Sequence, residues 1–346
     1  MSRHGRKEPQ HGRLEEKMVH SQYRISTKLV EELHQVFGGF HPGYRDVHAN
    51  GRYYAGTFRA TPEAKNLSRA VHLQGDPVPV TVRHSNSRSG NPMGPATTAS
   101  MAVRFYLPDG TTTDLVSLPI SLFFARTPEE TLGFLQAVRP DPATGQPDPD
   151  KVTLFLESRP WIAHAVQLAK GLSATVSFAQ TAFHMLHAFR FVNEDGHATY
   201  ARYHWEPEAG VAGQTLEELQ KQPPSHLFDE YELRLQKAPV VFNLVLQLAG
   251  DGDKLDDPNA PWPDDRRRVH IGRLEITRPT TNEEIGDSVM MHDPTRLTDG
   301  IEPTDDPILA ARRGIYEVSV AYRTGGWKGR QAALELGGCP FLGNAK

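Results

Sequence analysis

The alternation of apolar and polar positions predicts a series of short antiparallel strands along most of the chain. From residue 78 onward, apolar residues recur at every second position in short runs, and turn residues such as Pro108, Asp109 and Gly110 separate them. Residues 193–196, with the sequence Asn-Glu-Asp-Gly, predict a hairpin turn. The predicted strands cover residues 78–84, 102–107, 113–116, 188–192, 198–205, 240–248 and 269–277. About eight strands of this kind favour a closed or nearly closed barrel.

Apolar residues at helical spacing predict helices before and between these strands. The first amphipathic helix is predicted at residues 25–37, with Ser26 or Thr27 as its N-cap, and the pair Gly38-Gly39 ends it. Further helices are predicted at residues 127–138, 150–158, 160–172, 215–222 and 225–236. Strands with interspersed helices indicate the α+β class.

The remaining stretches predict a tail and several loops. Residues 1–22 are polar and lack the apolar region of a signal peptide, which indicates a solvated tail before a single domain at residues 23–346. Residues 40–55 are dense in Gly, Pro, His, Tyr and Arg without a clear period, which is typical of a loop that carries functional side chains. Pro-, Asp- and Gly-rich residues 140–150 and 250–265 predict surface loops.

The composition narrows the class of protein and of partner. Hydrophobic residues make up 38% and charged residues 23% of the chain, as in an ordinary soluble globular protein with one good core. The formal net charge of -4 provides no overall attraction for nucleic acid or anionic lipid, and no stretch approaches the roughly 18 apolar residues of a membrane span. The single cysteine, Cys339, excludes an intramolecular disulfide, so we expect a reducing, cytoplasmic location.

Candidate chemistry appears first near the C-terminal end. Asp306 followed by Pro307 is an N-cap followed by a proline in the first helical position, so a helix is predicted to begin there. Arg312 and Tyr316 then lie four apart on one helix face, where the guanidinium favours the ionised phenol, a good ligand for ferric iron. The alternative is that Tyr316 is a core aromatic residue with Arg312 extended over it.

Other constellations are weaker by themselves. Arg45 and His48 are three residues apart in the predicted functional loop, which is compatible with catalysis, metal binding or a hydrogen bond to the backbone. His184 and His187 are spaced for a metal site, but no carboxylate or cysteine partner lies close in the sequence. The chain contains no P-loop, dinucleotide-binding fingerprint, His-Glu-x-x-His motif or Gly-x-Ser-x-Gly motif.

Read in order, several motifs together resemble the haem catalase family, and more closely its short catalase-related peroxidase branch. The Arg45-Asp-Val-His48-Ala-Asn-Gly51 segment resembles the family's distal histidine motif, and residues 299–323 resemble its proximal signature, including the step from arginine to tyrosine. The other matching segments are residues 79–85, 101–106, 114–116, 123–126 and 187–193. The resemblance implies a catalase-like antiparallel β-barrel with surrounding helices and a buried haem b.

On the proximal side, the resemblance implies that Tyr316 is the axial ligand of the haem iron; tyrosine-ligated catalase is the standard example of this coordination. Arg312 would hold the phenolate ionised, and His187 and Asp306 would extend this arginine into a relay, although Asp306 is equally explained as the helix cap. The resemblance assigns the haem propionates to three arginines, whose planar guanidinium groups suit carboxylates: Arg45, Arg83 and Arg323.

On the distal side, the resemblance implies that His48 accepts the proton of a bound peroxide and returns it to the departing oxygen, leaving a ferryl haem. Ser85 would orient His48. The candidates for the apolar walls of the pocket, each equally explained as part of the core, are Val47, Phe105, Phe123 and Phe124.

The sequence departs from the family pattern at three places. Ser117-Leu118-Pro119 stands where the family's catalases carry the distal asparagine that helps to hold a second hydrogen peroxide. Thr131 is nearest to the position of the aromatic residue that stacks on the haem, and from the end at Lys346 we expect a single domain that lacks the wrapping segment and helical domain of large catalases. We therefore expect organic or fatty-acid hydroperoxides as better substrates than hydrogen peroxide, together with an external small-molecule reductant.

Other functions stay open at the level of the sequence. A haem lyase or isomerase of lipid hydroperoxides, similar to allene-oxide-forming relatives of catalase, would need no reductant. A true catalase and a haem enzyme that oxygenates one metabolite are further alternatives. A barrel that binds haem or lipid without turnover is disfavoured by the joint presence of His48, Ser85, Arg312 and Tyr316. A homodimer is compatible with the resemblance.

Overall fold

A ten-stranded antiparallel sheet organises the computed structural model, which describes residues 10–40, 44–86, 99–223 and 225–325, with side chains from residue 23 onward. In these residues the strands are β1 (Asn50–Ala60), β2 (Val78–Asn86), β3 (Ser100–Tyr106), β4 (Thr112–Ser117), β5 (Ala174–Thr175), β6 (Phe183–His184), β7 (Phe189–Val192), β8 (Ala198–Pro207), β9 (Gly213–Gln214), β10 (Val240–Leu248), β11 (Arg268–Thr280) and β12 (Ile301–Pro303). The α-helices are α1 (Gln10–Val36), α2 (Pro128–Ala137), α3 (Pro149–Glu157), α4 (Pro160–Lys170), α5 (Leu216–Gln220), α6 (His226–Leu235), α7 (Asn282–Ile285) and α8 (Pro307–Arg323). β5 and β9 form a separate two-stranded sheet.

The large sheet curls so that the end of β4 reaches β6, which pairs with β8. Its strand order is β12-β7-β8-β10-β11-β1-β2-β3-β4, and β6 also pairs with β8. Leu118, directly after β4, forms an antiparallel bridge to His184 in β6, with N–O distances of 3.0 and 2.7 Å between the two backbones. Because β6 is bonded to both β8 and the end of β4, the strands form a nearly closed ring. The predicted α+β class and antiparallel barrel are confirmed.

Aromatic side chains fill the inside of this ring. The rings of Phe58 in β1 and Phe105 in β3 meet edge to face, with centroids 5.2 Å apart, and Trp205 in β8 lies against Phe58 at 6.3 Å. All three side chains are fully buried. A side chain on Gly272 in β11 would overlap the ring of Phe58, so this glycine allows the ring to lie directly on the strand. Phe105, one of the predicted pocket walls, is thus part of the barrel core.

A helical layer packs outside the barrel and carries the C-terminal candidate residues. α1 packs against α8 and α2. The approach of α1 and α8 is close, because a Cβ atom on Gly314 would lie 2.7 Å from the hydroxyl oxygen of Ser26. The N-cap of α8 is Asp306, as predicted: its carboxylate accepts hydrogen bonds from the backbone N–H groups of Ile308 at 2.8 Å and Leu309 at 3.1 Å.

The prediction that Ser26 or Thr27 caps the first helix was wrong. α1 already begins at Gln10, so most of the predicted tail is helical, and both cap candidates lie inside the helix. The Thr27 hydroxyl donates to the backbone carbonyl of Tyr23, 2.9 Å away and four residues earlier, which allows a threonine to be accommodated within a helix. Residues 1–9 lie outside the described residues.

The prediction of a loop over residues 40–55 was also wrong in its second half. β1 begins at Asn50 and pairs with β2 and β11, so it lies in the middle of the sheet. Its register with β11 shifts between Ala55 and Gly56. A β-bulge of this kind breaks the alternation of buried and exposed positions, which is why the pattern was not visible in the sequence.

The other predicted strands and helices are found within a few residues of their expected bounds. Cys339 and the remainder of the chain after residue 325 lie outside the described residues. None of the helices in the described residues combines the length and the apolar character that crossing a membrane requires.

Candidate active site

A hydrogen-bonded chain of four side chains ends at Tyr316. Arg312, one turn earlier on α8, donates from Nη2 to the tyrosine hydroxyl, and its guanidinium carbon lies 5.4 Å from the centre of the ring. The other terminal nitrogen, Nη1, lies 3.1 Å from Nε2 of His187, and Nδ1 of His187 lies 2.6 Å from the carboxylate of Asp306. The structure thus brings together all four proximal residues predicted from the sequence.

The direction of the hydrogen bonds in this chain follows from the chemistry of its members. A carboxylate only accepts and a guanidinium only donates, so the proton of His187 must be on Nδ1, facing Asp306, while Nε2 accepts from Arg312. His187 and Asp306 are 2% and 1% exposed, and burial lowers the pKa of His187 below its usual value against the opposing effect of Asp306. The imidazole is therefore neutral, and Arg312 keeps its charge directed at Tyr316.

The distal candidates lie at one end of strands β1 to β4. His48 is two residues before β1 and has a φ of +56°, a left-handed conformation that is uncommon outside glycine and is typical of functional sites. Ser85 in β2 pairs with Gly51 in β1 and with Ser100 in β3, and the two serine hydroxyls are hydrogen-bonded at 2.5 Å. These strand pairings therefore place Ser85 next to the segment that carries His48.

Asp46 connects the His48 loop to the helical layer. Its carboxylate is 2.7 Å from Nε2 of His34 in α1 and accepts a hydrogen bond from the hydroxyl of Ser319 in α8. Sequence reasoning missed Asp46, because no local pattern relates it to a serine 273 residues away. Since Ser319 is three residues after Tyr316, this contact holds the loop of His48 against the helix of Tyr316.

A second connection between the loop and α8 runs through the backbone carbonyl of Met290. Arg45 donates to this oxygen at 2.5 Å, and Arg323 at the end of α8 reaches it at 3.4 Å. Arg45 also donates to the hydroxyl of Tyr53 at 3.2 Å, a contact that was not predicted. The third predicted arginine, Arg83, donates to the carbonyl of His48 at 3.0 Å. The three predicted propionate ligands thus gather where the loop, the sheet and α8 meet.

These three guanidinium groups are close enough to repel one another. Burial, followed by the charge of Arg45, lowers the pKa of Arg83 to about 9 and that of Arg323 to about 10. Among the residues that the structure describes, their charged groups contact backbone carbonyls and Tyr53 but no carboxylate within ion-pair distance. An anionic group with two carboxylates, such as a haem, would neutralise the excess charge, so this donor set fits haem propionates.

Gly51 makes room for Arg83. A Cβ atom at Gly51 would overlap the guanidinium group of Arg83, which crosses β1 at this point to reach the carbonyl of His48. The position of Arg83 at the site thus depends on a glycine, which has no side chain, at residue 51.

The apolar candidates lie at the helical layer and in the loop. The rings of Phe123 and Phe124 are 4.6 Å apart, and Phe124 lies 4.9 Å from Phe134 of α2. Both are only partly buried and belong to the apolar cluster that also contacts Ile315 of α8, next to Tyr316. Val47 is half-buried beside His48. These positions agree with either of the two roles predicted, a pocket wall or part of the core.

The suspected histidine pair does not form a metal site. His184 pairs across the sheet with His204, with 2.7 Å between their Nδ1 atoms, whereas His187 points to Asp306. Burial lowers the pKa of His184 to about 4 and that of His204 to about 3, so both are neutral. Within the described parts of the chain, no group of three or more histidine, cysteine or carboxylate side chains is arranged to hold a metal ion.

Comparison with known proteins agrees with this geometry. The family model described as Catalase matches residues 27–331. This protein belongs to the catalase family. Members of this family use haem. The family match and the catalase-related peroxidase relatives show that the protein is a peroxide-acting oxidoreductase.

Among its relatives in the catalase family, the chain is 40% identical to a catalase-related peroxidase from Mycolicibacterium paratuberculosis, over 85% of this chain and 94% of that protein. It is 36% identical to a catalase-related peroxidase from Synechococcus elongatus, over 83% and 86% of the two chains. A crystal structure of a fungal catalase superposes with a TM-score of 0.72 at 20% identity, covering 88% of this chain and 64% of that one, which shows the shared fold.

Proposed function

We propose that this member of the catalase family is a haem b-dependent peroxidase that reduces organic or fatty-acid hydroperoxides with an external small-molecule reductant. The observation that carries the proposal is the buried chain from Asp306 through His187 and Arg312 to Tyr316. A structural tyrosine needs no such support, whereas a tyrosinate that binds ferric iron needs a fixed positive charge beside it.

Each residue of the proximal side has a distinct task in this proposal. Tyr316 would bind the haem iron as a phenolate, and the Arg312 guanidinium stabilises its negative charge. His187 and Asp306 hold Arg312 in position from the opposite side. When bound, the haem supplies the iron centre that accepts two oxidising equivalents from the peroxide. The carboxylates of the haem would be held by Arg45, Arg83 and Arg323.

His48 is the proposed acid-base group of the distal side. Its imidazole would take the proton from the oxygen of the hydroperoxide that approaches the iron, and deliver it to the oxygen that leaves as water or alcohol. Two contacts fix the segment of His48: Asp46 accepts from the hydroxyl of Ser319, and Arg83 donates to the backbone carbonyl of His48. Ser85 would orient the ring from β2, where it lies opposite Gly51, three residues after His48.

The preference for organic hydroperoxides rests on the residues at the end of β4. The hydroxyl of Ser117 is buried and donates to the carbonyl of Met101 at 2.7 Å, so it is engaged within the sheet. The next residue, Leu118, has an apolar side chain. It belongs to the segment in which the family's catalases carry the distal asparagine. Without an amide to hold a second hydrogen peroxide, disproportionation is disfavoured, and an apolar surface suits an alkyl chain.

The first test compares the wild-type protein with Tyr316→Phe after reconstitution with haem. We expect a high-spin ferric spectrum in the wild type that is lost in Tyr316→Phe and kept in the control Tyr106→Phe, whose hydroxyl contacts only Thr81 among the described residues. Guaiacol oxidation should be faster with cumene hydroperoxide than with hydrogen peroxide, with little oxygen release. A haem-loaded wild type without this spectrum would refute the proposal. Turnover of a lipid hydroperoxide without reductant would assign a lyase instead.

A further inference from the structure

A buried histidine beside the candidate haem site has no assigned task. His292 is 3% exposed, and among the residues that the structure describes neither of its ring nitrogens has a hydrogen-bond partner. Burying a polar group without a hydrogen-bond partner costs free energy, and burying two such atoms in one side chain costs more. The position therefore calls for a ligand or a function.

The backbone on both sides of His292 is held by hydrogen bonds to charged side chains. The carbonyl of Met290 accepts from Arg45, and that of Met291 accepts from Arg104 and, at 3.2 Å, from Arg296. On the other side, the N–H of Asp293 donates to the carboxylate of Asp114 at 2.9 Å. The backbone around His292 is thus fixed between Arg45 and the ion cluster of the buried Asp114.

The ion cluster itself is satisfied, whereas the arginines on the other side are not. Asp114 receives two hydrogen bonds from Arg104, at 2.9 and 3.0 Å, and lies 2.6 Å from Arg296. Arg45 and Arg83 contact no carboxylate among the described residues. The charges of Arg45 and Arg83 both act on His292, so the imidazole lies near arginines that have no carboxylate partner among the described residues.

The surroundings of His292 keep its ring neutral. Burial, followed by the positive charges of Arg45, Arg104 and Arg83, lowers the pKa of His292 well below its usual value. A neutral imidazole has one N–H group and one nitrogen that accepts. Such a ring can accept from a guanidinium and donate to a carboxylate at the same time.

We propose that His292 is a further haem-binding residue, whose N–H group donates to a propionate of the porphyrin while its other nitrogen accepts from Arg45 or Arg83. The inference rests on the proposed function and adds a fourth residue to the three arginines. These two hydrogen bonds would provide partners for both ring nitrogens of His292.

The protein contains an arrangement of the same kind on its proximal side. His187 accepts from Arg312 and donates to Asp306, at 3.1 and 2.6 Å, as a buried neutral imidazole between a guanidinium and a carboxylate. At His292 the guanidinium groups of Arg45 and Arg83 are close enough for their charges to act on the ring, and the haem would supply the carboxylate. Because a propionate hydrogen bond changes the charge felt by the porphyrin, His292 would also affect the reduction potential of the iron.

A second buried histidine provides a matched control. His72 is 1% exposed, and its Nδ1 atom also lacks a hydrogen-bond partner among the described residues. Its ring packs against Phe105 at 5.1 Å and Phe58 at 6.4 Å, inside the barrel core, and burial alone accounts for its lowered pKa. Replacing either histidine by phenylalanine removes one buried imidazole, but only His292 lies among the arginines.

The test measures how fast haem leaves the holoprotein for an excess of apomyoglobin. We expect loss to be about tenfold faster or more in His292→Phe, since hydrogen bonds to charged groups are worth about this factor. Haem loss should stay at the wild-type rate in His72→Phe. It should be slower from His292→Gln, which keeps an N–H donor, than from His292→Phe. In resonance Raman spectra, the propionate bending band should shift in His292→Phe and not in His72→Phe.

The outcomes separate this inference from the proposed function. Unchanged haem loss and an unchanged propionate band in His292→Phe, in a protein whose spectrum still depends on Tyr316, would overturn the role of His292 alone. His292→Gln behaving like His292→Phe would overturn the hydrogen bond. A wild type that binds no haem through Tyr316 would instead remove the proposed function. Spectra of folded holoprotein are compared, so a variant that merely unfolds is recognised by its circular dichroism.

Discussion

Arg312 and Tyr316 are joined by a hydrogen bond within one turn of α8, and the same guanidinium reaches His187 at 3.1 Å in the barrel. Arg312 thus contacts one residue that is a single helical turn away and another that is 125 positions away in the sequence. The helix orients Arg312 towards Tyr316, while His187 prevents the guanidinium from turning to solvent. The charge beside the tyrosine is therefore a property of the folded barrel as well as of the helix.

The two tasks of Asp306 can be separated by two substitutions. Asp306→Asn keeps a side-chain oxygen for the N-cap of α8 but loses the charge that faces His187, whereas Asp306→Ala loses both. We expect Asp306→Ala to lower the free energy of unfolding by about 1 kcal/mol more than Asp306→Asn. Urea unfolding measures this difference.

Both Asp306 variants should perturb the haem spectrum, because each weakens the orientation of His187 and Arg312. The matched control is Asp148→Asn, an N-cap at the start of α3. Its carboxylate accepts from two backbone N–H groups in the same way but makes no hydrogen bond to His187 or Arg312 among the described residues. An Asp306→Asn spectrum identical to the wild type would show that Asp306 is only a helix cap.

Gly51→Ala should weaken haem binding more than it weakens the fold. The new methyl group would overlap the guanidinium of Arg83, which can move because it is the end of a long side chain. We expect a loss of fold stability of about 1 kcal/mol, at the low end for overpacking, and a larger fold-change in haem retention. Thermal unfolding and haem transfer measure the two effects.

Gly171→Ala is the control for this substitution, since its Cβ atom would lie no closer than 3.5 Å to its neighbours. It should leave haem retention unchanged. Equal retention in Gly51→Ala and Gly171→Ala would contradict the assignment of Arg83 to the cofactor.

Stability should fall as the pH falls below about 6.5. Burial lowers the pKa of His72 to about 4 and those of His84 and His204 to about 3, from 6.5 in the unfolded chain. The folded state therefore stays neutral where the unfolded state binds protons, so stability is kept above pH 6.5 and lost as the pH falls from 6.5 to 4. Each histidine contributes up to about 1.4 kcal/mol per pH unit in this window.

The contribution of one histidine is measured with His72→Phe. Free energies of unfolding of the haem-loaded protein at pH 7, 6 and 5 should show a smaller pH dependence in this variant, by about one proton. The exposed His197→Phe should show the wild-type dependence. Equal slopes in all three proteins would mean that His72 is not held neutral by the fold.

Leu118→Asn tests the preference for organic hydroperoxides. An amide at the end of β4 should raise oxygen release from hydrogen peroxide severalfold, because it could hold a second peroxide molecule, while cumene hydroperoxide turnover falls. An oxygen electrode and guaiacol oxidation measure the two activities. Leu154→Asn, at a position that is 70% exposed on α3, should change neither. No gain of oxygen release in a folded Leu118→Asn would contradict the role assigned to this position.

Local sequence patterns predicted those parts of the fold whose signal is local. The cap at Asp306 and the four-residue step to Tyr316 depend on helix geometry alone, and the alternating residues of β8 and β10 predicted strands, although residues 201–205 of β8 are buried on both faces. β1 escaped prediction because its bulge interrupts the alternation, and the first half of α1 did so because its first turns carry polar residues.

The sequence by itself determined the residue types of the site and, through the order of its motifs, the family resemblance. Only the tertiary structure decided which of these residues meet. Hydrogen bonds act over about 3 Å, so the partners of a buried polar group depend on how the sheet closes and where α8 packs. His187 with Asp306, Asp46 with Ser319 and the isolation of His292 among the arginines all follow from that packing, because residues more than a hundred positions apart carry no local pattern that relates them.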